Sequence, residues 1–291
     1  MLNVAPSGRS GFNDRLGRAV DGALKEKREE EPPRQYLGGS ALGYECRRKL
    51  AYGYFKAPMD EGAGFKGKTY RIFDMGHDGE DRVAEYLRVV GFDIMTETAH
   101  GKQFGFAAFE ERIKGHCDGV IIGATDELLA ALPPLAFPAL WENKCLNNTR
   151  FNAVKKSGVR KAEPEYYIQV QIYMNRIDVL KNADGTVNPT LWTAMNRNTG
   201  EIYYEMVPFE PRAAEDALLK GRQIIEAEAP EDLPRVAANS SDFRCKWCDY
   251  RERCWAEPTP PAPGAPQTGG FISTAAQPAA PAKKFPWQFG G

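Results

Sequence analysis

Pro138–Leu146, PALWENKCL, is the stretch on which the fold turns. It reads as a strand, and period-two alternation puts Leu140, Glu142 and Lys144 on one face and Trp141, Asn143 and Cys145 on the other. A carboxylate and an ammonium therefore share one face of an apolar segment. The same rule applied to Lys114–Ile122, KGHCDGVII, aligns Lys114, His116, Asp118 and Val120, with Asp118 opening a run too apolar for the surface. A carboxylate entering a core strand is costly unless it is paired or holds a metal. Asp118 and Glu142 on neighbouring strands, with Lys144 two residues beyond the second, suit a site for hard divalent cations and an activated water. The same spacing also suits a buried carboxylate–lysine ion pair.

Working outward, RIFDMGHDGEDRVAEYLRVVG spaces Ile72, Met75, Val83, Leu87 and Val90 as a helix and stops at Gly91. FDIMTETAH, ERIKGHCDGVIIG and PALWENKCL read as strands, and EPEYYIQVQIYMNRIDVL returns to a helical pattern. Two further strands, TLWTAMNRN and EIYYEMVPF, meet at the turn residues Asn198, Thr199 and Gly200, and PRAAEDALLKGRQIIEAEA forms a last helix. This alternation predicts an α/β (α+β) body with one central mixed sheet flanked by helices.

The body occupies residues 37–256. Residues 1–36 form a polar, partly helical arm with Leu16, Val20 and Leu24 four apart, ended by Pro32 and Pro33. Residues 257–291 are a Pro/Ala/Gly-rich tail, too poor in apolar residues to fold alone, that ends in KKFPWQFGG. Phe285, Trp287 and Phe289 in that ending suit pockets on a partner protein.

The chain of 291 residues is 42% hydrophobic with a net charge of −1, so no global field favours nucleic acid, and any such contact must come from local basic patches. No long apolar run or signal core is present, which predicts no membrane insertion and a cytoplasmic, reducing location. Cysteines in that setting bind metal more readily than they form disulfides.

The ordered set Gly76-His77-Asp78-Gly79-Glu80, Gly115-His116-Cys117-Asp118-Gly119, Glu142-Asn143-Lys144 and Gln169-Val170-Gln171-Ile172-Tyr173 resembles the PD-(D/E)XK nucleases of the RecB type, with a restriction-endonuclease-like core. Cys46 with Cys245, Cys248 and Cys254 resembles the iron–sulfur staple of helicase-associated RecB-like nucleases and of the CRISPR adaptation exonucleases. SALGYECRRKLAYGYF and IFDMGHDGEDRVAEYL are most similar to phage-encoded exonucleases of this class.

The resemblance, over residues 37–256, implies that Asp118 and Glu142 hold Mg2+ or Mn2+ with the backbone carbonyl of Asn143, and that Lys144 orients or deprotonates the attacking water. Glu80 takes the first-helix ligand position and His77 assists it. The family's leading proline is replaced by Cys117. Gln169 and Tyr173, four apart on a helix, would line the DNA groove.

Three thiolates on one C-x2-C-x5-C turn, with a fourth far away in sequence, suit a [4Fe-4S] cube that closes the domain; Zn2+ is the alternative occupant. Arg150, Lys155, Lys156, Arg160 and Lys161 follow the site without a balancing acid before Glu163 and would neutralise phosphates. The implied activity is a metal-dependent DNA exonuclease in phage recombination, replication or host-DNA degradation, working in the host cytoplasm beside a single-strand-binding or annealing protein. The alternatives are an idle iron–sulfur or zinc DNA-binding module and an endonuclease of the same superfamily.

Overall fold

Leu16, Val20 and Leu24 recur at helical spacing, and the computed structural model, which describes residues 6–256, begins with the helix that contains them, α1 (Pro6–Glu29). A two-residue strand β1 (Leu37–Gly38) and a 3-10 turn over Gly39–Gly43 lead to α2 (Arg47–Tyr54), then to the long α3 (Gly67–Val90). Charged side chains join α1 to α3: Arg28 reaches Asp74 at 2.9 Å, and Arg71 pairs with Asp21. Leu16 and Val20 remain exposed, so the periodicity of the arm marks a helix without marking a buried face. The segment ends its next helix as predicted, with Gly91 at φ +115°, where an added Cβ would stand 2.6 Å from Thr125 Oγ1.

Four short strands follow: β2 (Phe92–Met95), β3 (Gly105–Ala108), β4 (Ile113–His116) and β5 (Gly119–Ala124). Next come α4 (Asp126–Ala131), capped by the Thr125 side chain, and β6 (Ala139–Leu146). Three helices, α5 (Asn148–Ser157), α6 (Val159–Ala162) and α7 (Pro164–Arg176), connect to the hairpin of β7 (Thr190–Asn196) and β8 (Ile202–Val207). The chain continues through α8 (Pro211–Glu226) to a short α9 (Arg251–Ala256).

The strands form two sheets, ordered β1-β4-β3 and β2-β5-β6-β7-β8. This corrects the expectation of one central sheet. The segment 111–123, read as one strand, breaks at Cys117–Asp118: β4 pairs with β1 and β3, whereas β5 pairs with β2 and β6. Two flanking glycines, Gly115 and Gly119, accompany the change of sheet. An added Cβ at Gly115 would meet the Phe106 and Tyr173 rings at 2.7 Å.

The five-stranded sheet is mixed, antiparallel except where β6 runs parallel to β7. Parallel neighbours require a crossover, and α5, α6 and α7 supply it. Alternate β6 residues enter opposite cores, as period two requires. Leu140 and Leu146 join the larger cluster with α5, α7 and α8, while Ala139 and Trp141 join a smaller one with Val83 and Leu87 of α3. Both faces of β6 are thus covered, which leaves Glu142 buried and Lys144 mostly so. Among the described residues no helix is long and apolar enough to cross a membrane. The tail, 257–291, with its aromatic ending, lies outside the described residues.

Candidate active site

Three elements deliver charged groups to one place. The break between β4 and β5 presents Asp118, β6 presents Glu142 and Lys144, and α3 presents Glu80. Asp118 Oδ2 accepts the backbone N–H of Asn143 at 2.8 Å, so the carboxylate is tied to the strand that carries the other residues. Glu142 is fully buried. Its Oε1 accepts from Lys144 Nζ at 2.6 Å and from Gln169 Nε2 at 2.5 Å, while Oε2 is buried with no hydrogen-bond partner. Buried carboxylate oxygens are rarely left this way without an ion or water to take up the lone pairs.

Electrostatics follow from the crowding. Burial, then Asp118, push the Glu142 carboxyl up to about 8 against the pull of Lys144. Asp118 is raised by burial and drawn back by Lys144 and the Asn143 amide. Glu80 is raised by burial and by Asp118, with Lys144 and His77 pulling it down. Burial disfavours the Lys144 ammonium, yet Glu142, Asp118 and Glu80 outweigh it and hold its pKa above the usual lysine range. Asp118 thus pushes up both Glu80 and Glu142, a crowding of negative charge that a cation would relieve.

Beside them opens a polar cavity of about 100 Å³ lined by Glu80, Asp81, Thr96, Glu97, Gln103, Asp118 and Trp141. Sequence reasoning missed Asp81, Glu97 and Gln103; the last two meet in an isolated β-bridge beyond β2, which no local pattern announces. It also missed Tyr166, whose ring lies 5.4 Å from Lys144 Nζ and 5.1 Å from the Arg150 guanidinium. His77 sits at the rim, largely exposed, with Nδ1 3.3 Å from Glu80 Oε2. Asn143 anchors β6 to β7 through its side-chain oxygen, which accepts from the Thr193 hydroxyl at 2.8 Å.

Two expectations about DNA contacts need correction. Gln169 and Tyr173 share a helix face, but they are 6% and 2% exposed and turn inward; Gln169 donates to Glu142 and contacts the Tyr173 hydroxyl at 3.2 Å. They orient the carboxylate and do not line a groove, because α7 packs that face onto the core. The basic segment, for its part, meets acids, Glu163 at its own end and Glu201 and Glu210 from farther along the chain. Arg150 pairs with Glu163, Lys155 with Glu201 and Arg160 with Glu210. Lys156 and Lys161 are exposed and make no ion pair among the described residues.

The α3 helix comes unusually close to β6. An added Cβ at Gly79 would fall 2.1 Å from Cys145 Sγ, and the same sulfur contacts the Gly76 carbonyl at 3.8 Å. Glycine at 79 thus sets how near Glu80 comes to the strand.

The four other cysteines converge elsewhere. Cys46, Cys245, Cys248 and Cys254 line one small cavity of about 20 Å³ together with Lys49, Arg235, Arg244, Arg251 and the rings of Tyr52 and Trp255. Burial and the neighbouring thiols raise Cys245 and Cys248. No disulfide joins any of the six cysteines. Four sulfurs on one cavity with cations around it fit a thiolate-bound metal. Among the described residues no group of three or more His, Cys, Asp or Glu side chains stands in finished ligating positions, so at either place binding requires rotamer movement.

No family model matches the chain, and no curated protein does. Among solved structures it is similar to an alkaline exonuclease, LHK-Exo, from Laribacter hongkongensis, with 13% identity and a TM-score of 0.42 over 66% of this chain and 87% of that one. It is similar also to SSO0001, with 15% identity and a TM-score of 0.41 over 85% and 100%. The dAMP complex of LHK-Exo gives 11% identity and a TM-score of 0.41 over 66% and 86%.

Proposed function

We propose that the chain is a metal-dependent DNA exonuclease of the PD-(D/E)XK type. The observation that carries this is the crowding of Glu142 by Asp118 and Glu80, the latter two lining one polar cavity, with Glu142 Oε2 buried and unpartnered and Lys144 held 2.6 Å from Oε1. Asp118, Glu142, Glu80 and the Asn143 carbonyl would hold Mg2+ or Mn2+, with His77 supporting Glu80 from the rim. Such a cation supplies Lewis acidity toward the phosphate and an acidified water.

The protein's own contribution is positioning. Gln169, braced by Tyr173, fixes one oxygen of Glu142 and leaves the other for the cation; the Asn143 amide does the same for Asp118. Lys144, kept protonated by the three carboxylates, donates toward charge developing on the phosphate oxygens. Its tether to Glu142 costs no reorganisation during reaction, since the pair is already formed.

The cysteine site would carry a [4Fe-4S] cluster, with Zn2+ as the alternative that metal analysis distinguishes. A role in phage DNA recombination, replication or host-DNA degradation, in the cytoplasm and beside a single-strand-binding or annealing protein reached through the tail, rests on the sequence resemblance. The test is incubation of purified protein with Mg2+ or Mn2+ and end-labelled linear or closed circular DNA. Loss of the linear form alone supports an exonuclease. Cutting of the circle assigns an endonuclease of the same superfamily, and no cleavage of either leaves the idle binding module.

A further inference from the structure

The outer rim of the cysteine site carries side chains that packing does not explain. Phe243 and Trp247 are 80% and 81% exposed, and Tyr44, from the other end of the chain, is 41% exposed. Rings so open to water contribute almost nothing to a core. Each also carries a cation: Lys49 Nζ lies 4.7 Å from the Tyr44 centroid, the Arg244 guanidinium 5.6 Å from that of Phe243, and Lys246 Nζ 5.5 Å from that of Trp247.

The two segments form one surface. Cys46, Lys49, Arg244, Cys245 and Cys248 line the same cavity, and Arg244 reaches Glu45 at 3.4 Å. Arg244 is already engaged by Glu45 and Asp242, which it neutralises. Lys49 and Lys246 make no ion pair among the described residues. The rim therefore offers three exposed aromatic rings and two ammonium groups that no carboxylate neutralises among the described residues.

We propose that this rim is a stacking platform for the single-stranded end of the DNA substrate, a reading that rests on the proposed nuclease function. Unpaired bases present π-faces to rings while their phosphates meet nearby cations; in a duplex those faces are occupied by neighbouring pairs. The 3-10 turn that precedes Tyr44 also packs on α7, the helix that carries Gln169. Gly43 lies so close to Glu165, on the first turn of α7, that an added Cβ would stand 2.5 Å from its backbone. A strand held on the rim thus lies at one end of a segment whose other flank is the helix carrying Gln169.

The experiment measures binding of the full-length protein in chelator by fluorescence anisotropy, using a labelled thymidine oligonucleotide of about twenty nucleotides and a blunt duplex of matching length. Phe243→Ala with Trp247→Ala should weaken the single strand on the order of tenfold or more, with the duplex affected less than about threefold. Trp247→Phe, which keeps a ring, should stay near wild type, and Lys246→Ala should lower the salt slope by about one. Because these side chains are exposed, the variants should melt with the wild type.

An unchanged single-strand affinity in the double variant overturns the platform, and if that protein still cleaves DNA the nuclease reading survives. Equal loss on both ligands overturns stacking in favour of plain charge. A wild type that binds neither nucleic acid and cleaves none overturns the platform together with the function on which it rests.

Discussion

The carboxylate site and the cysteine site are held together in opposite ways. Glu142 and Lys144 stand in the central strand of a five-stranded sheet, with helices on both faces, so backbone register fixes where their side chains point. The cysteine site has no such frame. From residue 233 to residue 250 there is neither helix nor strand, and side chains do the tying. Arg48 donates to the carbonyls of Leu233 and Glu231 at 2.7 and 2.6 Å, Asp60 accepts the Glu252 and Arg253 amides, and Tyr52 stacks on Tyr250 at 5.1 Å. The first site is built by folding and strained by its own charges. The second joins segments distant in sequence and would gain most from the proposed metal.

The sharpest way to break this contrast is at the strand. Glu142→Gln should lower cleavage by on the order of a thousandfold, measured with end-labelled DNA, yet leave the apo protein at least as stable because a repelled carboxylate is gone. A large loss of melting temperature in that variant would show that the carboxylate supports the fold.

Cys248→Ala should do the reverse. Without metal closure the ends of the chain are freed, and stability should fall by on the order of 4 kcal/mol in urea unfolding. The anaerobically purified wild type should be brown and the variant colourless. A colourless wild type with stoichiometric zinc would assign the alternative metal.

Gly79→Ala tests the spacing between α3 and β6. The new methyl meets Cys145 Sγ, so we expect a cost of about 1–3 kcal/mol and reduced cation affinity by calorimetry. Cys145→Ala should restore both, because the Cys145 Cβ lies 3.8 Å from the added carbon.

The pH dependence has a definite sign. Glu142 ionises near 4.5 when unfolded and at about 8 when folded, so the folded state binds more protons between those values. Stability in chelator should therefore decline as pH rises through that window, and Glu142→Gln should flatten the decline. A rise in stability across the same range would mean that Lys144 outweighs burial. The smallest effect belongs to Lys156→Ala with Lys161→Ala, which should lower the salt slope of DNA binding by about two if both meet phosphates.

Much of this was legible in the sequence. Period two in PALWENKCL put Glu142 and Lys144 on one face, and Gly91 ended its helix, because both rules depend on backbone geometry within a few residues. The strand that continues through Cys117 was not legible as broken, since apolar residues run on across the break while the hydrogen-bond partners change. Gln169 and Tyr173 were legible as a pair on one helix face, but which way that face turns depends on the packing of α7. The balancing acids of the basic segment, Glu201 and Glu210, come from beyond the crossover and have no local signal.

By itself the sequence determined the residue types, the strand and helix periods and the order of the charged motifs. It also determined that three thiols, Cys245, Cys248 and Cys254, lie within ten residues of one another. Tertiary structure alone decided that Asp118 lies where one sheet passes into another, that Glu142 keeps one oxygen without a partner, and that Cys46 reaches the distant thiols. The physical reason is range. Backbone periodicity is written residue by residue, whereas burial, charge crowding and metal-ligand convergence exist only when segments remote in sequence are packed against each other.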